Sequence, residues 1–279
     1  MNGDDCTACG GESDLFWLRD QMQSWFEIKV RAILGSDPTD DKEVVILGRR
    51  VSWGSDAIRY QADDRHRDLV LKHFGLNGSS RALSQNGDRT DNHHPEDDEY
   101  LPKDEATSYR SIAAKVNYLG MDSPHLQFAA KTASQDMANP TRGSWKRLKR
   151  LARFILGIKR ASWVYVFQEE PSVADVYVDS DWGGTSRDRR STSGGVFMLG
   201  SHCLKTWSST QHAIALSSAE AELYGMVEGV TRSRGLLDLV VELGMTGLSQ
   251  NMRVWTDSAA AKSFISRHGT GRMRHLQIR

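Results

Sequence analysis

The stretch Val173-Ala174-Asp175-Val176-Tyr177-Val178-Asp179-Ser180-Asp181-Trp182-Gly183-Gly184 decides the fold. Apolar and polar residues alternate over 173–179, which predicts a strand with Val176 and Val178 on one face and Asp175, Tyr177 and Asp179 on the other. The glycine pair stops it. Asp179 therefore stands where a strand ends, the place at which open α/β sheets put their chemistry. An Asx turn ahead of the glycines is the alternative use of Asp179 or Asp181.

Outward from this strand toward the C-terminus, residues 194–199 and 203–207 read as a hairpin around Gly200-Ser201, and 218–243 as a long helix. A strand at 252–256 and a helix from Ser258 follow. The order strand, strand, strand, helix, strand, helix predicts an α/β domain with a mixed sheet and flanking helices, since the long helix can return the chain for a parallel pairing.

Two further acids attract attention in this domain. In Ser217-Ser218-Ala219-Glu220-Ala221-Glu222, Ser217 and Glu220 have the spacing of a capping box, so helix structure explains Glu220. Nothing local explains Glu222, which lies between Ala219 and Met226 beside Leu223. Its stem can lean on the apolar face while its carboxylate meets a neighbour; a solvated glutamate is the alternative. Asp257 ends the strand at 252–256 and precedes a helix that it could instead help to cap. If Asp179, Glu222 and Asp257 converge, their mutual repulsion calls for cations. Mg2+ is the expected neutraliser, being hard and oxygen-seeking, with Mn2+ as a substitute. Two such ions roughly 4 Å apart can activate water and stabilise the departing oxygen of a phosphodiester. Asp181 and Glu220 are expected to be more peripheral.

Toward the N-terminus the pattern differs. A helix is predicted at 14–25, a strand at 26–30, strands at 44–47, 50–53 and 57–60, and a helix closing before Gly75, which together make a small α+β region over 1–77. Residues 78–104 read as an acidic, mobile linker with few apolar side chains. The region 105–170 is predicted as helices at 108–120, 123–137 and 141–158 and a strand at 163–168. Charge is segregated across this boundary. The acids of 86–105 include Glu96, Asp97, Asp98 and Glu99, while 106–170 is rich in Lys and Arg. Lys146, Arg147, Lys149, Arg150 and Arg153 lie largely off the apolar stripe of their helix. They either solvate a packed helix or track nucleic-acid phosphates.

The bulk numbers bound the rest. A chain of 279 residues with 39% hydrophobic residues can bury two ordinary cores. Its 36 basic and 36 acidic residues cancel, so only their distribution bears on nucleic acid. Three cysteines cannot build a disulfide framework, and Cys6-x-x-Cys9 lacks a second pair for zinc. No apolar run reaches the roughly 20 residues a membrane span needs, so no membrane partner is expected.

Several motifs in a fixed order carry a resemblance. They are Val178-Asp179-Ser180-Asp181-Trp182-Gly183-Gly184, Arg190-Ser191-Thr192-Ser193-Gly194-Gly195, Trp207-Ser208-Ser209-Thr210-Gln211, 215–224 around Glu222, and Thr256-Asp257-Ser258. With these the sequence resembles the Pol polyprotein of copia-type LTR retrotransposons over nearly its whole length. The resemblance implies a ribonuclease H-like domain at 171–279 that degrades the RNA strand of an RNA–DNA hybrid, with Asp179, Glu222 and Asp257 as its catalytic, metal-binding acids. Upstream, Tyr109-Arg110-Ser111-Ile112, Asn117-Tyr118-Leu119 and 145–150 resemble the family's connection, which implies that the basic helix lies near the hybrid. Asn2-Gly3-Asp4-Asp5 resembles the paired-aspartate loop of a polymerase, implying that 1–77 is a partial palm and thumb with Asp4 and Asp5 as a vestigial metal site. At 274–279 the family's closing motif carries an aspartate where this chain has Gln277. A neutral glutamine in place of a fourth acid, in a domain read as truncated, implies impaired cleavage. The alternatives are a noncatalytic nucleic-acid-binding or structural remnant and a truncated product with no cellular role. The family also implies an intracellular setting, in a cytoplasmic particle or the nucleus, and the rest of a Pol polyprotein as a partner.

Overall fold

The decisive strand forms as β5, Ala174–Asp181, in a computed structural model that describes residues 6–83, 94–158, 161–184, 188–248 and 251–266. It pairs antiparallel with β6, Thr192–Leu199, and parallel with β8, Met252–Trp255; β7, His202–Thr210, extends the sheet beyond β6. The order is β7-β6-β5-β8, the mixed sheet that the element order predicts. The face bearing Val176, Val178 and Phe197 is covered by the long helix α6, Ser218–Glu242. Val176 and Phe197 are fully buried, and each such side chain contributes about 1.5–3 kcal/mol of transfer free energy. Helix and sheet approach closely because Gly229 has no side chain: a Cβ there would overlap Val178. The short helix α7, Ala259–Ile265, follows β8 and touches α6.

A second sheet is an antiparallel meander of β1 (Glu43–Ile46), β2 (Arg49–Trp53) and β3 (Ala57–Gln61), completed by β4 (Ser162–Val166) from far along the chain. Between β3 and β4 run α2 (Arg65–His73), α3 (Lys103–Asp122), α4 (Pro124–Gln135) and α5 (Arg142–Gly157), packed around Tyr109, Val116, Leu148 and Ile155. Asp122 ties this core to the meander by accepting from Arg49 Nε and the Tyr60 hydroxyl, each at 2.9 Å. Thr141 and Ser144 form a reciprocal cap at the start of α5. The predicted N-terminal helix is α1, Glu12–Trp25.

Two expectations need correction. Residues 26–30 alternate like a strand but form none; among the described residues no strand pairs with them, and Phe26 and Val30 remain exposed. The described end of the predicted loose linker is docked. Glu99 O accepts from Arg142 N–H, the Leu101 N–H donates to Pro140 O, and Leu101 is buried in the helical core. Residues 84–93 lie outside the described residues.

The helical core also reaches the β7-β6-β5-β8 sheet. Gln135 Nε2 donates to Thr210 Oγ1 at 2.6 Å, and Lys131 Nζ to Thr192 Oγ1 at 2.5 Å, so α4 lies along β7 and the end of β6.

Candidate metal centre

Three elements bring Asp179, Glu222 and Asp257 together. The register Tyr177↔Trp255 sets the parallel ends of β5 and β8 side by side, and Asp179 and Asp257 each follow two residues beyond that pair. Glu222 enters from the second turn of α6. One carboxylate oxygen from each of the three lies within 4.8 Å of the others. Asp257 is not the helix cap that the sequence allows, because Ser258 Oγ takes that role by accepting from Ala261 N–H at 3.1 Å.

The environment of Glu222 is the most informative. It is 8% exposed, and its Oε1 accepts from the Ser180 hydroxyl at 2.7 Å and the Ser180 N–H at 3.2 Å. Its Oε2 is buried without a hydrogen-bond partner among the described residues. Burial pushes the Glu222 carboxyl above the ordinary glutamate range; the charges of Asp179 and Asp257 push the same way, while the bonds from Ser180 oppose them. A buried carboxylate oxygen lacking a donor is costly, and a hard cation relieves both that cost and the repulsion. The donor set is all oxygen, which fits Mg2+ or Mn2+.

Glu220 stays peripheral to the carboxylate cluster, as expected, yet it is more buried than Glu222. It is 2% exposed, and its carboxylate accepts from Leu216 N–H and the Tyr224 hydroxyl, both at 2.8 Å, so it clamps the loop before α6 rather than the cap N–H itself. Ser217 Oγ caps Glu220 N–H as the spacing predicts. Glu220 and the exposed Asp181 both stand outside the carboxylate cluster.

Sequence reasoning passed over two polar residues here. Ser180 follows Val176 and Val178 in parity, which alone directs it to the α6 side. Gln211 is 4% exposed and donates from Nε2 to Ser193 Oγ at 3.0 Å and Ala221 O at 2.8 Å, fastening β6 to the first turns of α6. Its signals are a polar residue just past a strand and its place in the motif Trp207-Ser208-Ser209-Thr210-Gln211.

On α5, Lys146 pairs with Asp97 at 2.6 Å and Arg147 with Asp136 at 2.7 Å, so these two bases are already engaged by acids. Lys149 and Arg153 are exposed and have no ion pair among the described residues, while Arg150 is half-buried. Asp4, Asp5 and Gln277 lie outside the described residues.

An α/β protein with a carboxylate trio, two from adjoining strand ends and one from the helix packed on them, is the class that this fold and site define. No protein-family model matches the chain. It is 30% identical over 155 residues to the retrovirus-related Pol polyprotein from transposon RE2 of Arabidopsis thaliana, a match covering 56% of this chain and 10% of that protein. Against the corresponding polyprotein from transposon RE1 it is 28% identical over 175 residues, 62% of this chain and 12% of the other. It is also 31% identical over 121 residues to secreted RxLR effector protein 161 of Plasmopara viticola, 43% of this chain and 84% of that protein. The chain is a homologue of the copia-type, retrovirus-related Pol polyproteins of transposons. It spans about a tenth of the length of the Pol relatives first named. No described helix is long and apolar enough to cross a membrane.

Proposed function

We propose that residues 171–279 form a ribonuclease H-like domain that hydrolyses the RNA strand of an RNA–DNA hybrid with divalent metal. The observation that carries this reading is the convergence of Asp179, Glu222 and Asp257, with Glu222 Oε2 buried and unpaired. Magnesium held by these acids supplies Lewis-acid polarisation of the phosphodiester and activation of water. The protein's own part is to fix the three carboxylates before the substrate arrives. Ser180 and Gln211 hold the β5 end, β6 and the start of α6 in register, so the ligand oxygens need little rearrangement. Lys149 and Arg153 supply exposed charge for phosphates, a contact that positions a duplex without reading its bases.

The test is a magnesium-dependent cleavage assay on hybrid duplex with the wild-type chain, Asp179→Asn and Gln277→Asp. Cleavage above the Asp179→Asn background, raised by Gln277→Asp, is the expected result. If the wild-type chain and Gln277→Asp both stay at background while binding hybrid in a salt-sensitive manner, the noncatalytic nucleic-acid-binding reading replaces the nuclease.

A further inference from the structure

Ser180 sits between Asp179 and Asp181 and does more than join them. Its parity with Val176 and Val178 turns its side chain toward α6. The helix is close at this point. A Cβ on Gly225, one turn beyond Glu222, would lie 3.6 Å from Asp179 O and 3.7 Å from Ser180 Cβ, ordinary contact distances that leave a larger side chain little room. This approach brings Glu222 within reach of both donors of Ser180. The N–H is shared: it lies 2.8 Å from Asp179 Oδ1 and 3.2 Å from Glu222 Oε1. The hydroxyl adds a second bond to Glu222 Oε1 at 2.7 Å. One residue thus bridges two acids that would otherwise repel, and it does so through one oxygen of each.

We propose that Ser180 is a positioning residue for the metal centre, its hydroxyl fixing Glu222 through Oε1 so that Oε2 keeps its lone pairs for a divalent cation. The inference rests on the metal-site reading above. A carboxylate offers about four lone-pair directions. Two of them, on Oε1, are taken by Ser180, and the buried Oε2 has no donor among the described residues. Without the hydroxyl, Glu222 keeps only the longer, shared N–H bond and gains freedom to turn about its last torsion. A ligand that must be reoriented binds a metal less tightly than one held in place, and loss of such supporting bonds commonly costs about 10–100-fold in metal affinity. Packing alone predicts something else. If Ser180 merely fills space under α6, alanine leaves the affinity of the folded protein for metal unchanged.

The experiment measures binding of Mn2+ alone, by electron paramagnetic resonance of the free ion, at a temperature where circular dichroism shows each variant folded. Wild type, Ser180→Ala, Ser180→Thr and Asp179→Asn are compared, with Ser180→Cys, which keeps the volume but has a weak donor, in place of alanine if the latter does not fold. The expected result is a loss of about 10-fold or more in Ser180→Ala and recovery in Ser180→Thr, which restores the hydroxyl. Wild-type affinity in Ser180→Ala, alongside a loss in Asp179→Asn, overturns the role of Ser180 and leaves the metal site standing. Equal losses in Ser180→Ala and Ser180→Thr also overturn it, assigning the effect to packing. Equal Mn2+ binding by wild type and Asp179→Asn removes the metal site and this inference together.

Discussion

Asp97 and Glu222 are both acids pressed against another element, and they are treated in opposite ways. Asp97 accepts a bond from Lys146 at 2.6 Å, and that cation, with the His94 N–H, holds its carboxyl below the usual aspartate range. Glu222 has no cation beside it among the described residues: burial and two neighbouring carboxylates raise it, and its Oε2 has no hydrogen-bond partner there. Two acids of the stretch before α5 are therefore paired within the chain, Glu99 with Arg142 and Asp97 with Lys146. The cluster around Asp179 has no ion pair among the described residues, and the proposed divalent cation would come from outside the chain. An acid-rich segment and an acid-rich site are told apart by whether the fold supplies the cation.

Glu222→Gln breaks that comparison most severely. It should lower Mn2+ affinity by about 100-fold or more, beyond the usual effect of losing a supporting group, as read by titration calorimetry. The metal-free protein should respond in the opposite sense. A carboxyl raised by folding makes the native state bind more protons than the unfolded chain between the two values, so stability falls as pH rises through that window. Thermal melts of the metal-free wild type against Glu222→Gln should show the wild type losing ground as pH rises above the ordinary glutamate range, the variant being spared.

Gly229→Ala comes next in size. The added Cβ overlaps Val178, so α6 must lift from the sheet at about 1–3 kcal/mol, measured by urea unfolding. Metal affinity should fall with it, because the same helix carries Glu222. An unchanged midpoint would show that the close approach is not needed.

Asp97→Asn should give the smallest effect. Its lowered carboxyl stabilises the fold above the unfolded value and loses that contribution as pH falls through the folded one, the reverse of Glu222. The pair involves an exposed lysine and is screened, so the melt should barely change. Removing this negative charge from beside α5 should instead strengthen hybrid binding and steepen its salt dependence, measured by fluorescence anisotropy across a salt series. No change in that slope would place α5 away from the phosphates.

Much of the β7-β6-β5-β8 sheet could be read in advance because its information is local. Alternation over 173–179 assigns Val176 and Val178 to the core, where they are buried, and Asp179 to the strand end, although β5 runs two residues further to Asp181. Glu222 stood out because the Ser217 cap accounted for Glu220 and not for it, although spacing could not say that Glu220 would be the more buried of the two. The misses have a common cause. Alternation at 26–30 reports which way side chains would point and says nothing about whether a partner strand exists. The Lys146–Asp97 pair joins residues 49 apart in the chain, beyond the reach of any helical or strand period. The Ser180 bridge depends on the separation of α6 from β5, a quantity that only packing determines.

The most direct test of the metal centre is the change in melting temperature on adding Mg2+, followed against pH in wild type and in Asp179→Asn. A ligand bound to the native state alone raises stability by mass action. Protons compete with the cation for Glu222, so the wild-type rise should be largest at neutral pH and shrink on acidification, and Asp179→Asn should show almost none. An equal Mg2+ shift in both proteins at every pH would contradict the account.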